Sequence, residues 1–277
     1  MSWFQPATSS PVEVNPSIAI NLGRWSIDNV GMSKPCLLLQ LRPEQAASDQ
    51  EYQAILDAGG LAAADVVRVE MNRGMPDVDL DDYWGVIVGG GPSNISYPEA
   101  KKYEYQKAFE PKLKKVLIEV VRRDFPYLGA CYGLSMLADA LGGVVSTERY
   151  AETAGATTIE LTGDAAKDPL LQGLPDTFRA FVGHKESCQD VPPGAILLAR
   201  SAGCPVQAVR VGENVYATQF HPELDGHGLA LRIEIYRHEG YFDPNEADYL
   251  TELGHREKIT IPQEILRRFV LRYQTKD

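Results

Sequence analysis

Positive charge is scarce in this chain. Its 27 lysines and arginines stand against 38 aspartates and glutamates, a net charge of −11 over 277 residues. That balance argues against a protein that grips nucleic acid or an acidic membrane by its overall field. Long apolar runs are missing too: none reaches the roughly 20 residues of a membrane span. The N-terminal stretch MSWFQPATSSPVEVNPSIAI has neither the basic region nor the unbroken apolar region of a signal peptide. Cysteine is sparse, with only Cys36, Cys131, Cys188 and Cys204 and no C-x-x-C pair. This is too few for a disulfide framework in a chain this long, and it points to free thiols in a reducing, cytoplasmic setting. The five histidines (His184, His221, His227, His238, His255) show no ligand spacing beside those cysteines, so no metal and no cofactor is expected. Internal repeats and low-complexity tracts are absent as well.

What is present is alternation. Residues 1–34 have no clear period and read as an N-terminal extension, whose Trp3, Phe4, Ile18, Ile20 and Trp25 are expected to pack partly on the domain. From Cys36 onward, short apolar runs alternate with segments of helical period. CLLLQL (36–41), VVRVEM (66–71), WGVIVGG (84–90) and FPYLGA (125–130) read as buried strands. SDQEYQAILDAGG (48–60) and YGLSMLADALGG read as helices stopped by glycine. The stretch from about Pro98 to Arg123 reads as helical, with Pro111 opening a second helix. Strand alternating with helix requires crossover connections. The expected fold is therefore α/β, an open, mostly parallel sheet with helices on both faces.

The second half is richer in strands (157–162, 179–184, 195–201), with a hairpin over 205–220 turning at Gly212-Glu213-Asn214. A helix at about 226–237 and a C-terminal pair near 244–253 and 262–275 complete the chain. The apolar spacing at 265, 266, 269, 270 and 273 is that of an amphipathic helix packed on its own domain, rather than a docking helix for a partner. The expected organisation is an extension (1–34), one domain (35–240) and a helical tail (241–277).

Three motifs carry the chemistry. In PYLGACYGLSM, Cys131 stands where a strand ends and a helix begins, with Gly129 and Gly133 two residues to either side. Such a turn is cramped, and the glycines remove side chains that would clash. A buried structural cysteine is the alternative for Cys131 taken alone. As a nucleophile it would gain from the helix N-terminus, which is expected to lower the thiol pKa. The Tyr132 N–H is an orphan donor available to an oxyanion. In ATQFHPELDG, Pro222 biases His221 toward extended backbone. Side chains two apart then share a face with Cβ atoms roughly 6–7 Å apart, so Glu223 can orient His221 as a base. His184, in FVGHKES, is the rival base. In VIVGGGPSNIS, three glycines after a strand permit a close backbone approach, but the run lacks both the G-K-[ST] of a P-loop and the last glycine of G-x-G-x-x-G. A plain tight loop or a second oxyanion donor at Gly91 are the readings left.

Strand-GGGP, strand-GACYG-helix and strand-FHPE, in that order across residues 86–223, together resemble the class I (triad) glutamine amidotransferases, and within them the amidotransferase domain of GMP synthetase. The resemblance covers roughly residues 36–237. It implies a flavodoxin-like core, Cys131 as nucleophile, His221 as base, Glu223 as its orienter, and the Gly91 and Tyr132 amides as oxyanion hole. It also implies substrate contacts at Gly90, Ser135 and His184. The reaction implied is hydrolysis of the side-chain amide of glutamine through a thioester. Two departures stand out: Ser135 occupies a position that is usually glutamine, and GHKES (183–187) replaces the usual SHGD. Ser135 brings in a second reading, a γ-glutamyl peptidase using the same triad. No S-G-G-x-D-S loop of an ATP-using synthetase is found, so a free-standing domain is expected, with any acceptor on a partner chain in trans. Ester cleavage of the α/β-hydrolase type is disfavoured because Glu223 follows His221 in the chain rather than preceding it. An intact triad disfavours a non-catalytic binding protein.

Overall fold

The computed structural model describes residues 34–274, and the expectations for the N-terminal extension lie outside them. The chain runs β1 (Cys36–Gln40), α1 (Gln45–Gly59), β2 (Val66–Glu70), β3 (Gly85–Val88), α2 (Glu104–Arg123), β4 (Tyr127–Ala130) and α3 (Tyr132–Ala140). It continues through β5 (Val145–Ser146), β6 (Glu152–Leu161), β7 (Thr177–His184), β8 (Ser187–Cys188), β9 (Ala195–Ser201), β10 (Ala208–Val211) and β11 (Val215–Thr218). Three helices close it: α4 (Gly226–Ile235), α5 (Ala247–Arg256) and α6 (Ile261–Tyr273).

The main sheet has the order β2-β1-β3-β4-β11-β10-β9-β6-β7. Its first five strands are mutually parallel. The last four continue it antiparallel. In the parallel half both faces are covered, so the strands carry unbroken apolar runs. On β1, Cys36 and Leu38 face the layer of α1 and α6, while Leu37 and Leu39 face the layer of α2 and α3. The tail helix α6 buries Ile265, Leu266, Phe269 and Val270 in the first of these layers.

Two local expectations need correction, and one strand pair left no sequence signal. Pro111 lies inside one continuous α2 and opens no second helix. Its ring is exposed, so water can solvate the Lys107 carbonyl left without a donor, while Phe109, Leu113 and Leu117 anchor the helix to the sheet. Helix α1 begins three residues before the expected Ser48, because Gln45, Ala46 and Ala47 are good helix formers. The short pair β5 and β8 has too few residues to carry a period.

The order β2-β1-β3 reverses the direction of winding beside β1. In open α/β sheets the crevice at such a reversal, outside the carboxyl ends of the strands, is where ligands bind. The ends of β1, β3, β4 and β11 bring Arg42, Gly89–Gly91, Cys131 and His221 to that edge.

Candidate active site

Cys131 sits between β4 and α3 with φ 52° and ψ −97°, a conformation that non-glycine residues rarely hold. The surroundings enforce it. The Cys131 N–H donates to Thr218 O at 2.7 Å, and its carbonyl accepts from the amides of Leu134 and Ser135. The flanking glycines are needed sterically, as the spacing predicts. A Cβ on Gly129 would lie 2.5 Å from Tyr127 Oη, and one on Gly133 would lie 2.9 Å from Val88 O. Tyr127 Oη in turn donates to Gly133 O at 2.9 Å.

The thiol is only 8 % exposed, and this overturns the expectation of a lowered pKa. Burial pushes it up to about 12, with Glu186 and Glu223 adding to the rise and Arg42 and Arg232 opposing it. The helix N-terminus acts over one turn, whereas desolvation of a buried thiolate is the larger effect here.

His221 Nδ1 donates to Glu223 Oε1 at 2.8 Å, the pairing that the H-P-E spacing predicts. This leaves Nε2 as the nitrogen free for a thiol. Burial holds the His221 pKa below its ordinary value despite the neighbouring carboxylate. Burial alone would raise Glu223, but His221 and Arg232 outweigh it and hold the carboxyl well below the usual range.

Behind this pair lies a row of buried charges that motif reading did not find. Arg232 Nη2 is 2.9 Å from Glu223 Oε1 and 3.6 Å from Glu51 Oε2. Arg42 Nε is 2.7 Å from the same Glu51 oxygen, and its Nη1 donates to Tyr236 Oη. All four charged groups are under 8 % exposed. Signs alternate along the row, which is what makes such burial tolerable. One signal was available: Arg232 falls on the apolar stripe of α4 with Leu229, Ile233 and Tyr236, where a surface arginine would not stand.

The three glycines after β3 are explained by these same groups. A Cβ on Gly89 would fall on the Glu51 carboxylate, one on Gly90 on the His221 ring, and one on Gly91 on the Leu41 side chain. Gly90 therefore backs the imidazole, which gives this glycine a packing role beside His221.

Two chambers meet at Cys131. One is walled mostly by polar residue types, among them Asn94, Tyr132, Ser135, His184, Lys185 and Glu186. The other is mainly apolar and contains His221. Gly91 and Cys131 border both, so the two expected oxyanion donors lie against the chamber edge beside the thiol. Asn94 is 3 % exposed, and its Nδ2 has no hydrogen-bond partner among the described residues. Glu186 accepts from the amides of Ile95 and Ser96, tying the glycine loop to the turn after β7. Burial raises its pKa, and Ser135 is among the groups that oppose the rise.

His184 is excluded as a base by its partners. Its Nδ1 pairs with Glu186 O and its Nε2 with Glu152 Oε2, both at 3.0 Å. Glu152, His184 and Cys204 bring potential metal ligands within 4.8 Å of one another. Glu152 is nevertheless filled by Ser201 and Gln207 as well as His184, so the cluster is complete as a hydrogen-bonded strut and we assign it no ion.

A model of the family described as "Glutamine amidotransferase class-I" matches residues 47–229. The glutamine-hydrolysing GMP synthase of Thermosipho melanesiensis is 32 % identical over 140 residues, covering 50 % of this chain and 24 % of that enzyme. The chain thus spans about a quarter of that relative's length. In Haloarcula marismortui, one separately named subunit of the glutamine-hydrolysing GMP synthase is 30 % identical over 175 residues, 63 % of this chain and 78 % of that relative. A glutamine amidotransferase from Thermotoga maritima shares the fold, with a TM-score of 0.70 at 23 % identity over 87 % of this chain and 99 % of that one. Among the described residues no helix is long and apolar enough to cross a membrane.

Proposed function

The chain belongs to the class I glutamine amidotransferases, a family of cysteine-dependent enzymes, and from that membership we propose that it hydrolyses the side-chain amide of glutamine to glutamate and ammonia. What carries this reading is the 2.8 Å pairing of His221 with Glu223 on the wall of a cavity that also holds a positive-φ cysteine.

His221 Nε2 takes the Cys131 proton as the sulfur attacks the amide carbon. A raised thiol pKa means that the proton moves with substrate in place, not beforehand, so an idle thiolate is scarce at neutral pH. The amides of Gly91 and Tyr132 hold the oxyanion. The C–N bond then breaks while His221 returns its proton to the departing nitrogen, leaving a γ-glutamyl thioester. Water, deprotonated by the same imidazole, adds to the thioester. The C–S bond breaks, the thiol is reprotonated and glutamate leaves. Glu223 keeps the imidazole in the Nδ1–H tautomer and offsets the positive charge that His221 carries midway.

The Haloarcula relative is named as one subunit of a larger enzyme, and by that analogy we propose that the ammonia passes to an acceptor on a partner chain. Four free thiols support a reducing, cytoplasmic setting.

Purified protein is expected to release ammonia from glutamine, and Cys131→Ala to release none. A glutamine analogue with an electrophilic carbon in place of the amide is expected to label Cys131 alone of the four cysteines. Absence of both turnover and labelling would overturn the reading.

A further inference from the structure

The two chambers at Cys131 divide a substrate between them. When the sulfur has added to an amide carbon, three groups radiate from that carbon: the oxyanion, the acyl chain and the leaving nitrogen. Tyr132, an expected oxyanion donor, borders only the polar chamber, and His221, the acid for the leaving group, borders only the apolar one. The acyl chain therefore points into the polar-lined chamber, where Asn94 Nδ2 stands without a partner among the described residues. That chamber itself holds about 10 Å³, and it shares His184, Lys185 and Tyr241 with a wider cleft of about 280 Å³ that gives the rest of the chain room. The nitrogen departs into the apolar chamber.

That second chamber is lined by Val182, Leu224, Leu229, Ile233, Tyr236 and Phe242 among others. Its volume is about 50 Å³. A water-sized group occupies about 10–15 Å³ on this measure, so the space exceeds what ammonia needs by a few carbon-sized groups. The cations on its wall are Arg42, which pairs with Glu51, and Arg232, which pairs with Glu51 and Glu223. Arg232 Nε keeps one unpartnered proton, enough for a neutral acceptor but without a free charge behind it. A leaving amino acid would bring a carboxylate among apolar side chains and already neutralised arginines, a costly desolvation.

We propose that the apolar chamber is a leaving-group subsite that selects small uncharged amines, so the substrate class is γ-glutamyl amides whose nitrogen carries hydrogen or a short alkyl group, and γ-glutamyl peptides are rejected. This rests on the amidohydrolase reading above. The chemistry is unchanged and balances in the same way. The C–N bond breaks, His221 supplies one proton, and the alkylamine leaves in place of ammonia.

The test is the wild-type protein assayed for glutamate release from glutamine, γ-glutamylethylamide and γ-glutamylalanine. The ethylamide is expected to react with at least about a tenth of the kcat/KM of glutamine, and at least about tenfold better than γ-glutamylalanine, the scale on which one or two methylenes or a misplaced polar group discriminate. A value below either threshold overturns the proposal. Ile233→Phe, which fills the chamber, is expected to lower the ethylamide at least about tenfold more than glutamine, and equal losses would count against it. If no substrate turns over and Cys131 resists the glutamine-like electrophile, the underlying amidohydrolase reading falls. If glutamine turns over and the ranking fails, only the subsite does.

Discussion

Arg232 Nη2 lies 2.9 Å from Glu223 Oε1, and the same guanidinium nitrogen lies 3.6 Å from Glu51 Oε2 on α1. The carboxylate paired with His221 is therefore clamped from behind by a residue outside the Cys-His-Glu set. Arg232 also helps hold down the His221 pKa. The imidazole stays neutral below its ordinary 6.5, so the acid limb of kcat/KM is expected below that pH. Arg232→Gln is expected to move the limb to higher pH. The same change should cost about 3–5 kcal/mol of stability, the usual cost of orphaning a buried partner. Arg232→Lys should restore part of the limb position. A limb that does not move in Arg232→Gln would reduce Arg232 to a packing residue.

The glycine loop makes a second, steric prediction. Gly90→Ala drives a Cβ into His221 and close to Cys131, whereas the Cβ of Gly89→Ala meets Glu51. Displacement of a base by about 1 Å can cost about 100-fold in rate. Gly90→Ala should therefore lose about that much kcat with glutamine KM little changed. Gly89→Ala should mainly lower the urea midpoint. If Gly90→Ala raised KM and left kcat intact, Gly90 would be a substrate contact after all.

Alkaline pH supplies a third prediction. Burial raises the thiols of Cys131, Cys188 and Cys204 from 9.0 to about 12, and Cys36 and Tyr127 shift the same way. The unfolded chain releases these protons from about pH 9 while the folded chain keeps them. Stability is full below pH 9 and is lost as pH rises through the folded values. The urea midpoint is expected to fall steadily between pH 8.5 and 10.5. Alkylation of Cys131 should still be accelerating at pH 10. A plateau in alkylation near pH 7 would mean that the helix N-terminus, not burial, governs the thiol.

The parallel half of the sheet and the Cys131, His221, Glu223 set were legible because their signals are local. Apolar strands covered on both faces read as runs, and G-x-C-x-G and H-P-E each constrain a turn within five residues or fewer. The charged row was not legible as a whole. Glu51 and Arg232 belong to different helices and meet only in the folded chain. Arg232 alone left a trace, by standing on an apolar stripe. The thiol pKa is not legible for the same reason: a helix terminus is visible in sequence, whereas the burial that outweighs it comes from the glycine loop after β3 and the end of β11 meeting at Cys131. Pro111 was misplaced because a proline rule read on one helix could not weigh the three apolar anchors holding α2 to the sheet.

The backbone at Cys131 makes the last prediction. Its φ of 52° and ψ of −97° fall near the strained γ-turn region. The bonds to Thr218, Leu134 and Ser135 hold it there against a cost of about 1–3 kcal/mol. Cys131→Ala removes the thiol but keeps a Cβ, so the strain stays. Cys131→Gly removes both, regaining that strain less the roughly 0.4–1 kcal/mol of extra chain entropy that glycine brings to the unfolded state. Both variants should be inactive on glutamine, yet Cys131→Gly is expected to be more stable than Cys131→Ala by about 1 kcal/mol in urea unfolding at pH 7. The comparison isolates backbone from side chain, because the only heavy atom that differs between the two variants is that Cβ. Were the alanine variant equally stable or more so, Cys131 would be held at its positive φ without strain, and its turn would owe nothing to catalysis.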